Sequence, residues 1–189
     1  MDSRAMTAIS AALAEVGFRV VRFEFDYMAQ RRTGGRKPPP RAELLQREYI
    51  DAIGQLGATG TLMIGGKSMG GRVASMIADS LYETDRIAGL VCVGYPFHPI
   101  GKPDQLRTAH LARLKTPTLI AQGTRDQFGT KTEVAGYDLS PTIEIVWLED
   151  GDHDLKPRKS VSGFSEADHL RTFAEAVRSW TSAKKFGHR

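Results

Sequence analysis

TLMIGGKSMGGRVASM, residues 61–76, superimposes two motifs that lead to different proteins. Gly66-Lys67-Ser68 is how a phosphate-binding loop ends, whereas Gly66-Lys67-Ser68-Met69-Gly70 reads as G-x-S-x-G. A phosphate loop needs a glycine five residues before Gly66, and that position is Thr61, with Gly60 one residue too early. Leu62-Met63-Ile64 is apolar strand material and offers no polar loop to wrap a phosphate. The other reading fits its surroundings: a strand ends, a sharp turn lifts one serine to its tip, and a helix starts at once. Gly66 and Gly70 supply room for the strained turn, and Gly71 adds more. The positive end of the following helix would face Ser68, which favours an oxyanion there.

Outward from this stretch, helical and strand patterns alternate. Met6, Ile9, Leu13 and Val16 recur at helical spacing after Asp2-Ser3, and Gly17 stops the run. FRVVRFEF (18–25) reads as a strand, and AQRRTGGRKPPPR (29–41) as a loop. Leu45, Tyr49, Ile53 and Leu56 mark a second helix, and Val73, Met76, Ile77 and Leu81 a third. IAGLVCVGYP, TPTLIAQGT and IEIVWLED each contain a strand, with helical stretches expected between them. A last helix carries Leu170, Phe173, Val177 and Trp180 on one stripe. Such alternation predicts an α/β chain, a mostly parallel sheet with helices on both faces, in one domain over residues 1–189.

A serine hydroxyl becomes a useful nucleophile when a base takes its proton and an acid orients that base. On such a sheet the partners belong in loops after later strands. Asp126 follows TLIAQGT, and His153 follows IEIVWLED, so Ser68, Asp126 and His153 form the candidate constellation. The bland alternatives are a turn aspartate and an exposed loop histidine. Lys67, Tyr95, Phe97 and His98 are expected around a substrate pocket, with His98 as an alternative base.

Taken together, GGKSMGGRVAS, LIAQGTRDQFGT and GDHDLKPRK resemble the α/β-hydrolase superfamily in its dienelactone-hydrolase-like branch. The nearer resemblance is to small predicted hydrolases that include a subunit of an animal chromatin-acetylation complex. EFDYM and GYPFHPIGKP match that group as well, and the likeness spans nearly the whole chain. It implies the order nucleophile Ser68, acid Asp126, base His153, and it implies the Met69 amide as an oxyanion donor. In one respect the chain departs from the group. Such proteins begin with a strand and a His-Gly-Ala-Gly-type loop that supplies a second oxyanion donor, whereas this sequence opens at MDSRAM. The fold is therefore expected to lack its N-terminal strand, and a bared sheet edge would invite a homodimer.

Composition narrows the remaining classes. The chain has 189 residues, 41% hydrophobic and 25% charged, with a formal charge of +4, ordinary values for a soluble domain. The basic run Arg31, Arg32, Arg36, Lys37 and Arg41 has no interleaved aromatic residue to stack on bases. It reads as a solvated loop or a cover for the pocket, with no nucleic-acid partner. No signal peptide or membrane-spanning run is seen, and a single cysteine, Cys92, suits a reducing cytoplasm and a buried, inert thiol. Asp152, His153 and Asp154 are adjacent and cannot all face one ion, so no metal is expected. The expected activity is serine hydrolysis of a small ester, thioester or lactone through an acyl-enzyme, with a small-molecule substrate and no cofactor. The alternative is a non-catalytic binding or scaffold protein on the same fold.

Overall fold

The computed structural model describes residues 3–32, 34, 38–184 and 186. Asp2 of the expected helix start, and Arg36 and Lys37 of the basic run, lie outside them. Four strands form one sheet: β1 (Met63–Lys67), β2 (Gly89–Val93), β3 (Thr118–Gly123) and β4 (Ile143–Leu148). They lie in the order β1-β2-β3-β4 and every pair is parallel. Each crossover therefore steps one strand in the same direction. Right-handed crossovers then place all their connecting segments on one face of the sheet.

That prediction of handedness accounts for the two cores. One face packs α4 (Met69–Tyr82) and the later connections, with α3 (Gln46–Leu56) outside α4. The opposite face is covered by α1 (Arg4–Glu15) and α7 (Glu166–Ala183), which also touch each other. Along β2, Leu90 and Cys92 point into the first core and Val91 and Val93 into the second. The strand period of two thus feeds both faces.

Helix ends follow local chemistry. Ser3 caps α1 by accepting from the Met6 N–H at 3.2 Å, and Ser165 and Asp168 form a reciprocal capping box on α7. The stripe read from the sequence on α7 is the buried one, with Phe173, Val177 and Trp180 inside the second core.

Several expected elements are different. FRVVRFEF forms no strand, because among the described residues no neighbouring strand offers it a hydrogen-bonding ladder. Its rings are used in packing: Phe23 meets Tyr49 edge-on at 4.8 Å, and Phe25 is buried in the first core. The expected loop at 29–41 begins as helix, since α2 spans Asp26–Arg32. The Phe25 carbonyl accepts from the Met28 and Ala29 N–H groups and starts that turn. Between β2 and β3 the expected helix shrinks to a 3-10 turn, Leu111–Arg113, because Pro96, Pro99 and Pro103 interrupt the run. Between β3 and β4 it is the one-turn α5, Lys131–Val134, and a second one-turn helix, α6 (Lys159–Ser162), follows β4 ahead of α7.

β1 is an edge strand of the described sheet, and a side chain closes part of that edge. The Tyr49 hydroxyl donates to the Gly65 carbonyl at 2.5 Å and accepts from the Gly65 N–H at 3.0 Å. Tyr49 is buried, and burial pushes its hydroxyl above the usual tyrosine range. One phenol thus satisfies both backbone polar groups of Gly65, three residues ahead of Ser68. Tyr49→Phe should leave both unpartnered and lower stability by about 1–3 kcal/mol, measured as a lower urea midpoint at unchanged slope.

Candidate functional site

Ser68 sits between the last residue of β1 and the first of α4 with φ 53° and ψ −119°. A side-chain-bearing residue avoids this region, and the cost is tolerated where surrounding contacts fix the backbone. Here the Ser68 N–H donates to the Val93 carbonyl at 2.9 Å, and its carbonyl accepts from the Arg72 N–H at 3.0 Å. The turn brings Gly66 and Gly71 into backbone contact. A Cβ on Gly66 would stand 2.5 Å from the Gly70 carbonyl carbon, and one on Gly71 would stand 2.7 Å from the Gly66 oxygen. Gly70 is different: a Cβ there meets nothing within 4 Å. The spatial demand therefore falls on Gly66 and Gly71, and the expectation that Gly70 also makes room is not met.

The three candidate side chains are joined. His153 Nε2 lies 2.8 Å from Ser68 Oγ, and its Nδ1 lies 2.9 Å from Asp126 Oδ2. Asp126 is fully buried. A carboxylate only accepts, so Nδ1 carries the proton and Nε2 of the neutral ring is left to accept from the serine. That is the arrangement that can draw a proton from a hydroxyl. Phe128 packs on the imidazole with ring centroids 4.3 Å apart.

Sequence reasoning missed the groups that hold this relay. Gln122, buried on β3, donates to Asp126 Oδ2 at 2.9 Å and accepts from the Tyr95 N–H at 2.7 Å. The Phe128 N–H donates to the other oxygen, Asp126 Oδ1, at 2.9 Å. The loop carrying His153 is tied down by Asp150, whose carboxylate accepts from the Arg158 N–H and guanidinium. Arg125 donates to the carbonyls of Asp150 and Lys156 at 2.7 and 3.0 Å, closing the same loop from the β3 side. Lys67 pairs with Asp154 at 2.8 Å, linking the serine turn to the histidine loop. Asp152 turns to the N–H groups of Asp154 and Lys156, so the two aspartates beside His153 serve separate partners.

Tyr95 and Phe97 have no solvent exposure and belong to the first core, and His98 is also buried. They do not line the cavity beside the serine turn, as the sequence suggested. That cavity, about 540 Å³, is lined instead by Met69, Arg72, Arg107, Glu43 and the stretch Pro39, Pro40, Arg41. The Phe97 ring meets both Tyr95 and Tyr137 within the first core, where burial takes these apolar faces out of water. His98 donates from Nδ1 to the Pro99 carbonyl at 2.8 Å and is not the histidine joined to Ser68. Cys92 is fully buried, and burial pushes its thiol up to about 12, so the thiolate that would react is suppressed.

Two outcomes follow from this geometry. Gly66→Ala should cost about 3 kcal/mol through backbone overlap, while Gly70→Ala should change stability by less than about 1 kcal/mol; thermal unfolding of the pair decides it. The second concerns acid. Arg158 holds the Asp150 carboxyl below its ordinary value of 3.8. A depressed carboxyl stabilises the fold above its unfolded value, and that contribution is lost as pH falls through the folded one. The melting-temperature gap between the wild type and Asp150→Asn should hold above about pH 5 and close well below it.

Comparison with solved structures places this architecture. The esterase domain of a Rhodothermus marinus protein superimposes with a TM-score of 0.64 at 18% identity, over 95% of this chain and 80% of that one. An alpha-beta serine hydrolase homologue from Coxiella burnetii gives 0.66 at 17% identity, over 95% and 76%. Est1E from Butyrivibrio proteoclasticus gives 0.64 at 15%, over 97% and 82%. At these identities the likeness is one of fold. The family model described as an alpha/beta hydrolase domain matches residues 1–182, and the chain belongs to that family.

Proposed function

We propose that this α/β-hydrolase-family protein is a serine hydrolase, cleaving a small ester, thioester or lactone through an acyl-enzyme. The observation that carries the reading is the continuous contact from Ser68 Oγ through His153 to buried Asp126, at 2.8 and 2.9 Å. His153 takes the Ser68 proton as Oγ attacks the substrate carbonyl, and Asp126 stabilises the imidazolium that forms. The Met69 amide, in the first turn of α4, meets the developing oxyanion, aided by the positive end of that helix. His153 returns its proton to the leaving group, and water then repeats the sequence on the acyl-enzyme, regenerating Ser68. Every step is carried by side chains and backbone of this chain, and the reaction calls on no cofactor. The dienelactone-hydrolase-like placement drawn from GGKSMGG and GDHDLKPRK belongs to this proposal, as does a cytoplasmic setting.

A fluorophosphonate probe tests the assignment. The wild type should be labelled, Ser68→Ala should not, and His153→Ala should label at least about 10²-fold more slowly. Labelling that survives Ser68→Ala removes the serine from the role. A folded wild-type protein that takes no label at all supports the scaffold alternative.

A further inference from the structure

The cavity beside the serine turn has an electrical character that ester hydrolysis by itself does not require. Three arginines, Arg41, Arg72 and Arg107, line it, and among the described lining residues Glu43 is the one acidic residue. Met69, whose amide is the proposed oxyanion donor, lines the same space. Arg72 stands one helical turn beyond Ser68, its N–H bonded to the Ser68 carbonyl. Its side chain is only 17% exposed, and Nη2 donates to Glu43 Oε1 at 3.1 Å. The Arg72 Nε–H is buried and, among the described residues, has no hydrogen-bond partner. Buried guanidinium donors are ordinarily satisfied, so this head group keeps hydrogen-bonding capacity that Glu43 does not use.

Among the described residues, nearby groups compensate this charge only in part. Arg107 is half-buried and has its proton affinity lowered first by burial and then by the charge of Arg72. Glu43 is exposed and is the only carboxylate in ion-pair contact with these arginines among the described residues. His110 behind them contacts the Ser75 hydroxyl at 2.8 Å, and burial together with Arg72 lowers its proton affinity. Tyr95, whose hydroxyl lies 3.4 Å from both the Arg107 carbonyl and His110 Nε2, has its hydroxyl pushed upward by burial and stays neutral. Two partly buried like charges with one shared counter-ion are stabilised by an anion that bridges them.

We infer that this cleft is an anion subsite, and that the substrate carries a carboxylate or phosphate group gripped by Arg72 and Arg107, with Arg41 at the rim. The inference rests on the serine-hydrolase reading for the word substrate, while anion binding stands without it. A planar guanidinium fork matches either oxyanion group, and a partly desolvated site strengthens the contact.

Two measurements separate the inference from the reading beneath it. Turnover of 4-nitrophenyl butyrate is compared with that of the 4-nitrophenyl half-ester of succinate, which adds one carboxylate at similar size. The half-ester should be preferred by about tenfold or more in kcat/KM, and the preference should fall to about unity in Arg107→Gln and in Arg72→Gln. Arg47→Gln, on an exposed helix surface, serves as the control that keeps it. In parallel, succinate and inorganic phosphate are titrated against the melting temperature of Ser68→Ala, which cannot turn over. A saturable rise with either, lost in the Arg72 and Arg107 variants, supports the subsite and tells carboxylate from phosphate. If neither ester is cleaved but the rise is seen, the subsite survives and the hydrolase reading fails. If the neutral ester is cleaved as well as the half-ester and no anion shifts the melting temperature, the inference is overturned.

Discussion

The backbone of Ser68, held at positive φ between β1 and α4, is the constraint on which the rest of this structure depends. A residue with a side chain rests there at a cost of order 1–3 kcal/mol, and the fold offsets it with contacts on both sides of the turn. The Val93 carbonyl fixes the amide, the Arg72 amide fixes the carbonyl, and the glycines at 66 and 71 let the two arms of the turn touch. Tyr49 then secures the strand three residues earlier by satisfying both polar groups of Gly65. The hydroxyl is exposed to its partner because the strand, the turn and the helix are each fixed independently.

Bringing His153 to that hydroxyl is a problem of reach. The serine follows β1 and the histidine follows β4, with β2 and β3 between them. The loop after β4 must therefore fold back across the carboxyl ends of two strands. Two close approaches permit it: a Cβ on Gly94 would stand 2.7 Å from the His153 carbonyl oxygen, and one on Gly123 would stand 2.2 Å from that of Gly151. The loop also adopts left-handed backbone at Asp150 and Leu155, so its path is held by partners more than by local preference. Arg158 and Arg125 supply those partners, and Leu155 sinks into the second core as an anchor. Asp126, lying after the intervening β3, meets the imidazole from beneath this bridge, and Gln122 keeps its carboxylate turned the right way.

What could be read from the sequence was whatever depends on local pattern. The α4 stripe, the apolar cores of the four strands, and the serine turn are short-range regularities, and residues 61–76 carry three of them together. The positions of Asp126 and His153 were legible because strand ends are legible and the sheet is parallel. FRVVRFEF misled because a strand is a property of a pair, and β-rich composition says nothing of whether a neighbour exists. Tyr95, Phe97 and His98 misled for a related reason: following a strand end locates a residue along the chain but not the direction of its side chain. Gln122, Asp150 and Arg158 left no signal, since each acts on a group brought near only by the folded loops. Arg72 and Arg107 were invisible as a pair, being 35 positions apart and united only by the cavity.

The position of Arg72 ties the chemistry of the turn to the charge of the cleft. α4 begins immediately after the serine, so in the proposed reaction its first amides and positive end bear on the substrate carbonyl. A cation one turn into the same helix is poorly placed for that helix, since cations favour the opposite end. Glu43 offsets part of this cost, but it is exposed and therefore screened by water and salt. The arrangement becomes favourable overall once an anion occupies the cleft, because the same charge then meets both the helix end and two guanidinium groups. A residue that opposes the stability of its own helix, lines a cavity and keeps one buried donor without a partner among the described residues is more economically explained by what the cavity holds than by the fold that surrounds it.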